Sequence, residues 1–240
     1  MSDDHGTAGA RQLPLGLRFP PDQRFETFVD APVGVVEHLR TLTGTPSESI
    51  YLQGPGGVGK THLALATCAA AEAAGSHAAY LPLTAARGRL RDALTALEGN
   101  QLIALDDVDA IAGQRDDEIA LFDFHNRVRA AGVALLYTST QAPDTPSLSL
   151  PDLRSRLSQC ARILLSPLDD RGRREVLRER ALRRGLVMDE ASYDWLLNRV
   201  GRDLASLTVL LEQLDRASLA AKRRITVPFL RETLGQASPR

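Results

Sequence analysis

Residues 51–62 read YLQGPGGVGKTH, and the reading of this stretch decides the fold. Gly54, Gly59, Lys60 and Thr61 satisfy the spacing G-x-x-x-x-G-K-[ST], after an apolar run and ahead of a helical stretch with no breaker, which is the context of a phosphate-binding loop. Glycines at this spacing let main-chain N–H groups converge on phosphate oxygens. The helix that follows offers unpaired donors and a partial positive charge to the same anion. The lysine is informative by itself: of 29 Lys and Arg residues only two are lysines, Lys60 and Lys222. A compact ammonium on a flexible stem reaches the β and γ phosphates as a point charge, where a planar guanidinium would be aimed at two-pronged contacts. Gly54, Pro55, Gly56, Gly57, Val58, Gly59, Lys60, Thr61 and His62 are therefore the expected cradle of a nucleotide's phosphates.

Outward from the loop, short apolar runs alternate with helical stretches. Strands are expected near 48–53, 77–83, 101–106, 133–138 and 161–165. Helices are expected over 61–74, 84–98 and 117–131, stopping at Gly75, Gly99 and Gly132. This alternation implies an α/β fold, a five-stranded parallel P-loop sheet with helices on both faces. After LSPLDD at 165–170 the pattern is helical only, roughly 170–184, 190–200, 203–221 and 227–235, with Asp189 and Thr226 as caps. That stretch reads as a small all-α lid domain, with Trp195 in its core and no DNA-reading feature of its own. Residues 1–24 are polar and end in RFPPDQ, where two prolines forbid a helix. The expected organisation is a flexible tail over 1–24, a nucleotide-binding domain over 25–166 and a helical domain over 167–240.

Composition narrows the function classes. With 43% apolar residues in 240, the chain can bury one substantial core and a smaller companion. No run approaches the ~18 to 20 apolar residues a membrane span needs, and the opening MSDDHGTAGARQ lacks a secretory pattern. A cytoplasmic protein is expected. Cys68 and Cys160 stand apart, with no CxxC and no clustered histidines, so they read as buried thiols rather than a disulfide or zinc site. The arginine-rich C-terminal part reads as a solvated face.

Three further stretches carry chemistry. LIALDDVDAI at 102–111 runs an apolar strand into carboxylates at the sheet edge where ligands bind. Asp106, with Thr61, fits the holding of Mg²⁺ and its hydration shell, and Asp107 would orient a hydrolytic water, although it is a methylene shorter than glutamate. LLYTSTQAP at 135–143 ends a strand in Thr138, Ser139 and Thr140, hydroxyls that could meet a γ-phosphate or its water. Arg154, Arg156 and Arg202 are candidates to stabilise charge in phosphoryl transfer.

The ensemble resembles the AAA+ ATPases of the bacterial replication-initiator group over about residues 24–236. GVGKTHL, LDDVDAIAG and LPDLRSRL look like that group's Walker A, Walker B and arginine-finger elements. GRDLASLTVLLEQLDRAS is similar to its sensor 2 helix, which makes Arg202 the sensor 2 arginine and Arg156 the finger. FETFVDAP at 25–32 resembles the segment that packs on adenine, through Phe28 and Val29. Within the group the resemblance is to regulators that inactivate the initiator DnaA, because the chain stops soon after the lid and because QLPLGL at 12–17 is similar to a sliding-clamp docking peptide. In that peptide Gln12 would hydrogen-bond at the rim while Leu13, Leu15 and Leu17 enter an apolar pocket.

The resemblance implies ADP or ATP with Mg²⁺ as cofactors. As partners it implies DnaA, the DNA polymerase III β sliding clamp and DNA reached through the clamp, with no membrane and with self-association open. The function implied is stimulation of ATP hydrolysis on DnaA by a finger supplied in trans. The alternative is a stand-alone, DNA-stimulated ATPase such as a helicase loader or transposition helper. Two departures bear on the protein's own hydrolysis: the Walker A loop is intact where some relatives have degraded ones, and Thr140 stands where relatives often carry an acidic sensor 1 residue.

Overall fold

The computed structural model describes residues 19–20, 23–42, 44–45, 47–199, 204–221 and 224–234, with backbone only at 204–208 and 220–221. A short 3₁₀ turn at Phe25–Thr27 and helix α1 (Val35–Thr41) lead into β1 (Ser49–Gln53) and α2 (Lys60–Ala73). Then follow β2 (Ala78–Pro82), α3 (Leu83–Ala86), α4 (Leu90–Thr95), β3 (Leu102–Asp106), α5 (Arg115–Ala130), β4 (Ala134–Ser139), α6 (Pro151–Ser158) and β5 (Ala161–Leu164). The strands form one five-stranded parallel sheet in the order β2-β3-β4-β1-β5.

Successive side chains on a strand point to opposite faces, and the sequence fills both. Tyr51, Ile103, Leu105, Leu135 and Tyr137 pack with α4, α5 and α6 on one side. Ile50, Leu52, Leu102, Ala104 and Leu136 pack with α1 and α2 on the other. The three central strands β3, β4 and β1 are buried almost throughout because both of their faces are covered, while the edge strands β2 and β5 are partly exposed. Cys160 closes the first core and Cys68 the second, both as buried free thiols.

The register brings the C-terminal strand ends level: Gln53 lies beside Ser139 and Leu164, and Pro82 beside Asp106. The phosphate loop, the acidic residues and the hydroxyls therefore share one edge of the sheet.

All five expected strands lie within a residue or two of their observed ends. The helix expected over 84–98 is instead two pieces, α3 and α4, on either side of Gly88 at φ 78°. The break is held from a distance: buried Asp117, on α5, accepts the Gly88 and Leu90 N–H groups at 2.6 and 3.2 Å and so caps α4.

The last four helices are α7 (Asp170–Arg183), α8 (Glu190–Arg199), α9 (Leu204–Ala221) and α10 (Val227–Leu234). They enclose a separate core that includes Leu177, Tyr193, Leu196, Leu211, Leu214 and Phe229. Asp169 caps α7 by accepting from Gly172 N at 2.7 Å, and Asp189 caps α8 through Ser192 N at 2.8 Å. Trp195 is half-buried at the edge of this core, with the Arg199 guanidinium 4.6 Å above its ring. Among the described residues no helix is long and apolar enough to cross a membrane.

Candidate functional site

The loop after β1 is shaped by two glycines that cannot be replaced without a clash. A Cβ at Gly54 would lie 2.5 Å from the Leu165 carbonyl oxygen. Gly59 stands at φ 96°, and its Cβ would lie 2.6 Å from Cε2 of Phe28. Only glycine takes that backbone shape freely and admits so close an approach. Helix α2 opens directly behind it, with Lys60 Nζ curled back to donate to the Gly54 and Pro55 carbonyls at 2.7 and 2.8 Å. Burial lowers the pKa of Lys60, and the carboxylates of Asp109, Asp106 and Asp107 work against that shift. The ammonium thus faces an acidic neighbourhood across the mouth of the loop.

Asp106, at the end of β3, is the hub of that neighbourhood. Its Oδ2 accepts from Thr61 Oγ1 at 2.8 Å and from the Tyr80 hydroxyl at 2.7 Å, and its Oδ1 accepts from Thr138 Oγ1 at 2.5 Å. Thr138 Oγ1 in turn accepts from the main-chain N–H of Asp107 at 2.8 Å. The backbone turns sharply there, with Asp107 at φ 66°. Burial first, then the charges of Asp109 and Asp106, raise the pKa of Asp107. Its side chain borders a cleft of about 340 Å³ with Thr84, Arg87, Asp109 and Ala110.

The hydroxyls at 138–140 face carboxylates. Thr138 serves Asp106 as above, while Ser139 Oγ and the Thr140 N–H and hydroxyl all donate to Asp109, at 2.8, 2.6 and 3.1 Å. Asp109 therefore ties the end of β4 to the turn after β3, a role its sequence position alone does not reveal.

Phe28, Val29, Val58, Gly59 and His62 gather around one narrow cavity, and Leu168, Val176 and Arg180 complete its wall. The His62 ring meets Phe28 edge-on at 5.2 Å, and its Nε2 donates to the Arg24 carbonyl at 2.8 Å. Helix α7 begins hard against the same segment: a Cβ on Gly172 would lie 3.1 Å from Asp30 Oδ2.

Thr61 and Asp106 offer a hydroxyl and a carboxylate, the hard oxygen donors that suit Mg²⁺. Among the described residues no group of three His, Cys, Asp or Glu could hold a metal alone. A cation held by these two groups would keep most of its shell as water and phosphate oxygens.

Arg156 lies elsewhere. It is in the last turn of α6, which delivers the chain to the N-terminal end of β5, the sheet edge opposite the phosphate loop. Its guanidinium is half-exposed and has no hydrogen-bond or ion-pair partner among the described residues; the same holds for Arg154. The start of α6 is fixed by fully buried Glu118, which accepts from Gly113 N, Ser149 N, Ser149 Oγ and Leu150 N at 2.7–3.0 Å. Burial pushes that carboxyl's pKa up, but the bonds from Ser149, Leu150 and Gly113 outweigh it and hold it below its usual value. Arg202 and the stretch 12–17 lie outside the described residues.

Two family models match the chain. The model for the ATPase family associated with various cellular activities (AAA) covers residues 50–166, and that for the lid domain of Hda covers 170–234. Among solved structures the fold is similar to domain III of the replication initiation protein DnaA from Thermotoga maritima, at 19% identity and TM-score 0.78, over 90% of this chain and 97% of that one. AMPPCP-bound DnaA from Aquifex aeolicus aligns at 20% identity and TM-score 0.67, over 84% and 67%. The RuvB Holliday junction branch migration motor of Thermotoga maritima aligns at 17% and 0.64, over 90% and 72%.

Proposed function

Because the chain is an Hda-like AAA+ protein, we propose that it is a nucleotide-dependent negative regulator of replication initiation that acts on the ATP held by the initiator DnaA. The loop 54–62 would cradle the phosphates of ADP or ATP, and the cavity at Phe28, Val29 and His62 would take the base. Thr61 and Asp106 would hold Mg²⁺, which neutralises charge on the β and γ phosphates when bound. In this reading the bound nucleotide sets the stance of the lid, with Arg202 as its contact from the helical layer.

The observation that carries the proposal is the placement of Arg156. It is joined to the far edge of the sheet from its own phosphate loop, on a helix anchored by Glu118, with no carboxylate engaging it among the described residues. A guanidinium so placed is available to a nucleotide on a neighbouring molecule. Delivered in trans, such a group is worth on the order of 10³ to 10⁵ in rate. Turnover of DnaA-bound ATP, with clamp loaded on DNA, is expected to be accelerated by the wild type and not by Arg156→Ala. Equal acceleration by both would remove the finger.

The sliding clamp would be engaged through Gln12, Leu13, Leu15 and Leu17, which would tether the regulator to DNA. Retention on immobilised clamp should collapse in Gln12→Ala/Leu13→Ala. A second reading, the stand-alone ATPase, draws on Asp107, whose raised pKa and position beside Asp106 suit a residue that orients water. It requires DNA-stimulated hydrolysis by the protein alone, abolished by Lys60→Ala.

A further inference from the structure

We propose that Tyr80 is a positioning residue for Mg²⁺-dependent nucleotide binding, acting through Asp106; the inference rests on the reading of Thr61 and Asp106 as the metal site. Tyr80 stands on β2 opposite Ala104 of β3, with Pro82 opposite Asp106. Side chains two apart on a strand share a face, so Tyr80, Ala104 and Asp106 all lie on the α2 side of the sheet. Ala104 is small, which leaves room for a phenol ring to lean across it toward the strand ends. The ring carries its hydroxyl to 2.7 Å from Asp106 Oδ2, the same oxygen that takes the Thr61 hydroxyl at 2.8 Å.

Three hydroxyls from three elements therefore hold one carboxylate: Thr61 from α2, Tyr80 from β2 and Thr138 from β4. Asp106 is only 6% exposed, so these donors supply the hydrogen bonds that water would otherwise make. A carboxylate pinned on both oxygens cannot rotate, and its orientation need not be set when the cation arrives. Partners of metal-binding carboxylates act in this way, and their loss typically costs about 10- to 100-fold in metal affinity.

Tyr80→Phe deletes only the hydroxyl. ADP affinity of the wild type and the variant would be measured by calorimetry in EDTA and across a Mg²⁺ titration, with Thr61→Ala as the variant that loses the metal effect. The expected result is ADP affinity in EDTA within about 2-fold of wild type, with the Mg²⁺ concentration giving half the maximal tightening raised about 10-fold. Superimposable Mg²⁺ curves would overturn the proposal. So would an equal loss of affinity with and without Mg²⁺, which would make Tyr80 a packing residue. If the wild type bound no ADP, or bound it with no response to Mg²⁺, the nucleotide or metal reading of the loop would fall, an outcome distinct from failure at Tyr80.

Discussion

The pH dependence of stability should carry the signature of one enclosed imidazole. His125, on α5, is fully buried; its Nδ1 pairs with the Tyr137 hydroxyl of β4 at 2.9 Å, and its Nε2 has no hydrogen-bond partner among the described residues. Burial, reinforced by the positive charges of Arg129 on α5 and Arg156 on α6, depresses its pKa from 6.5 to about 4. As pH falls below the ordinary histidine value the unfolded chain takes up a proton that the folded chain refuses until near pH 4. Stability contributed by this residue is therefore present above pH 6.5 and drains away as pH drops toward 4.

Linkage over that gap gives about 2 kcal/mol lost by pH 5, roughly 1.4 kcal/mol per unit of difference. Urea unfolding followed by circular dichroism at pH 7.5 and pH 5 would measure it in the wild type and His125→Phe. The variant leaves the Tyr137 hydroxyl unpaired, a pH-independent cost of about 1 kcal/mol. It should nevertheless lose about 2 kcal/mol less than wild type between the two pH values. Carboxylates and the other histidines cancel in the comparison. Parallel losses in the two proteins would refute the reasoning and mean that His125 can charge where it sits.

Two further substitutions probe the site and its supports. Gly59→Ala places a Cβ against Phe28 at a left-handed backbone position, so stability should fall by about 1–2 kcal/mol and ADP affinity, measured by calorimetry, should drop sharply as the phenyl ring is displaced. Glu118→Ala leaves three partly buried main-chain N–H groups and the Ser149 hydroxyl without their acceptor. It should cost about 3 kcal/mol and lower the melting temperature in scanning calorimetry by roughly 6–12 °C.

The parts of the fold that local pattern determines were legible in the residues. The strands from Ser49, Leu102 and Ala134 are apolar on both faces and bounded by turns, and the loop at 54–61 announces itself by spacing. What could not be read is carried by partners distant in the chain. Gly88 inside a helical stretch gives no sign that Asp117, on another helix, will cap a second helix there. Glu118 reads as one more solvated acid at a helix start, yet it is fully enclosed because the 149–150 turn folds over it. Thr138, Ser139 and Thr140 are open to a phosphate on sequence grounds, and nothing local shows that they donate hydrogen bonds to Asp106 and Asp109, more than 25 residues away in the chain. Leu168, Val176 and Arg180 enter the cavity at Phe28 only because α7 docks there, which strand and helix periodicity do not specify.

Because Gly172 carries no side chain, the first turn of α7 rests against the Asp30 carboxylate, two residues from Phe28, and a larger residue there would push the helical layer away from that strip. A rotation of the helical layer would therefore load the strip that packs Phe28 on Gly59. Any change in the tilt of that helix would reach the Phe28 strip through one carboxylate resting against the bare backbone at Gly172.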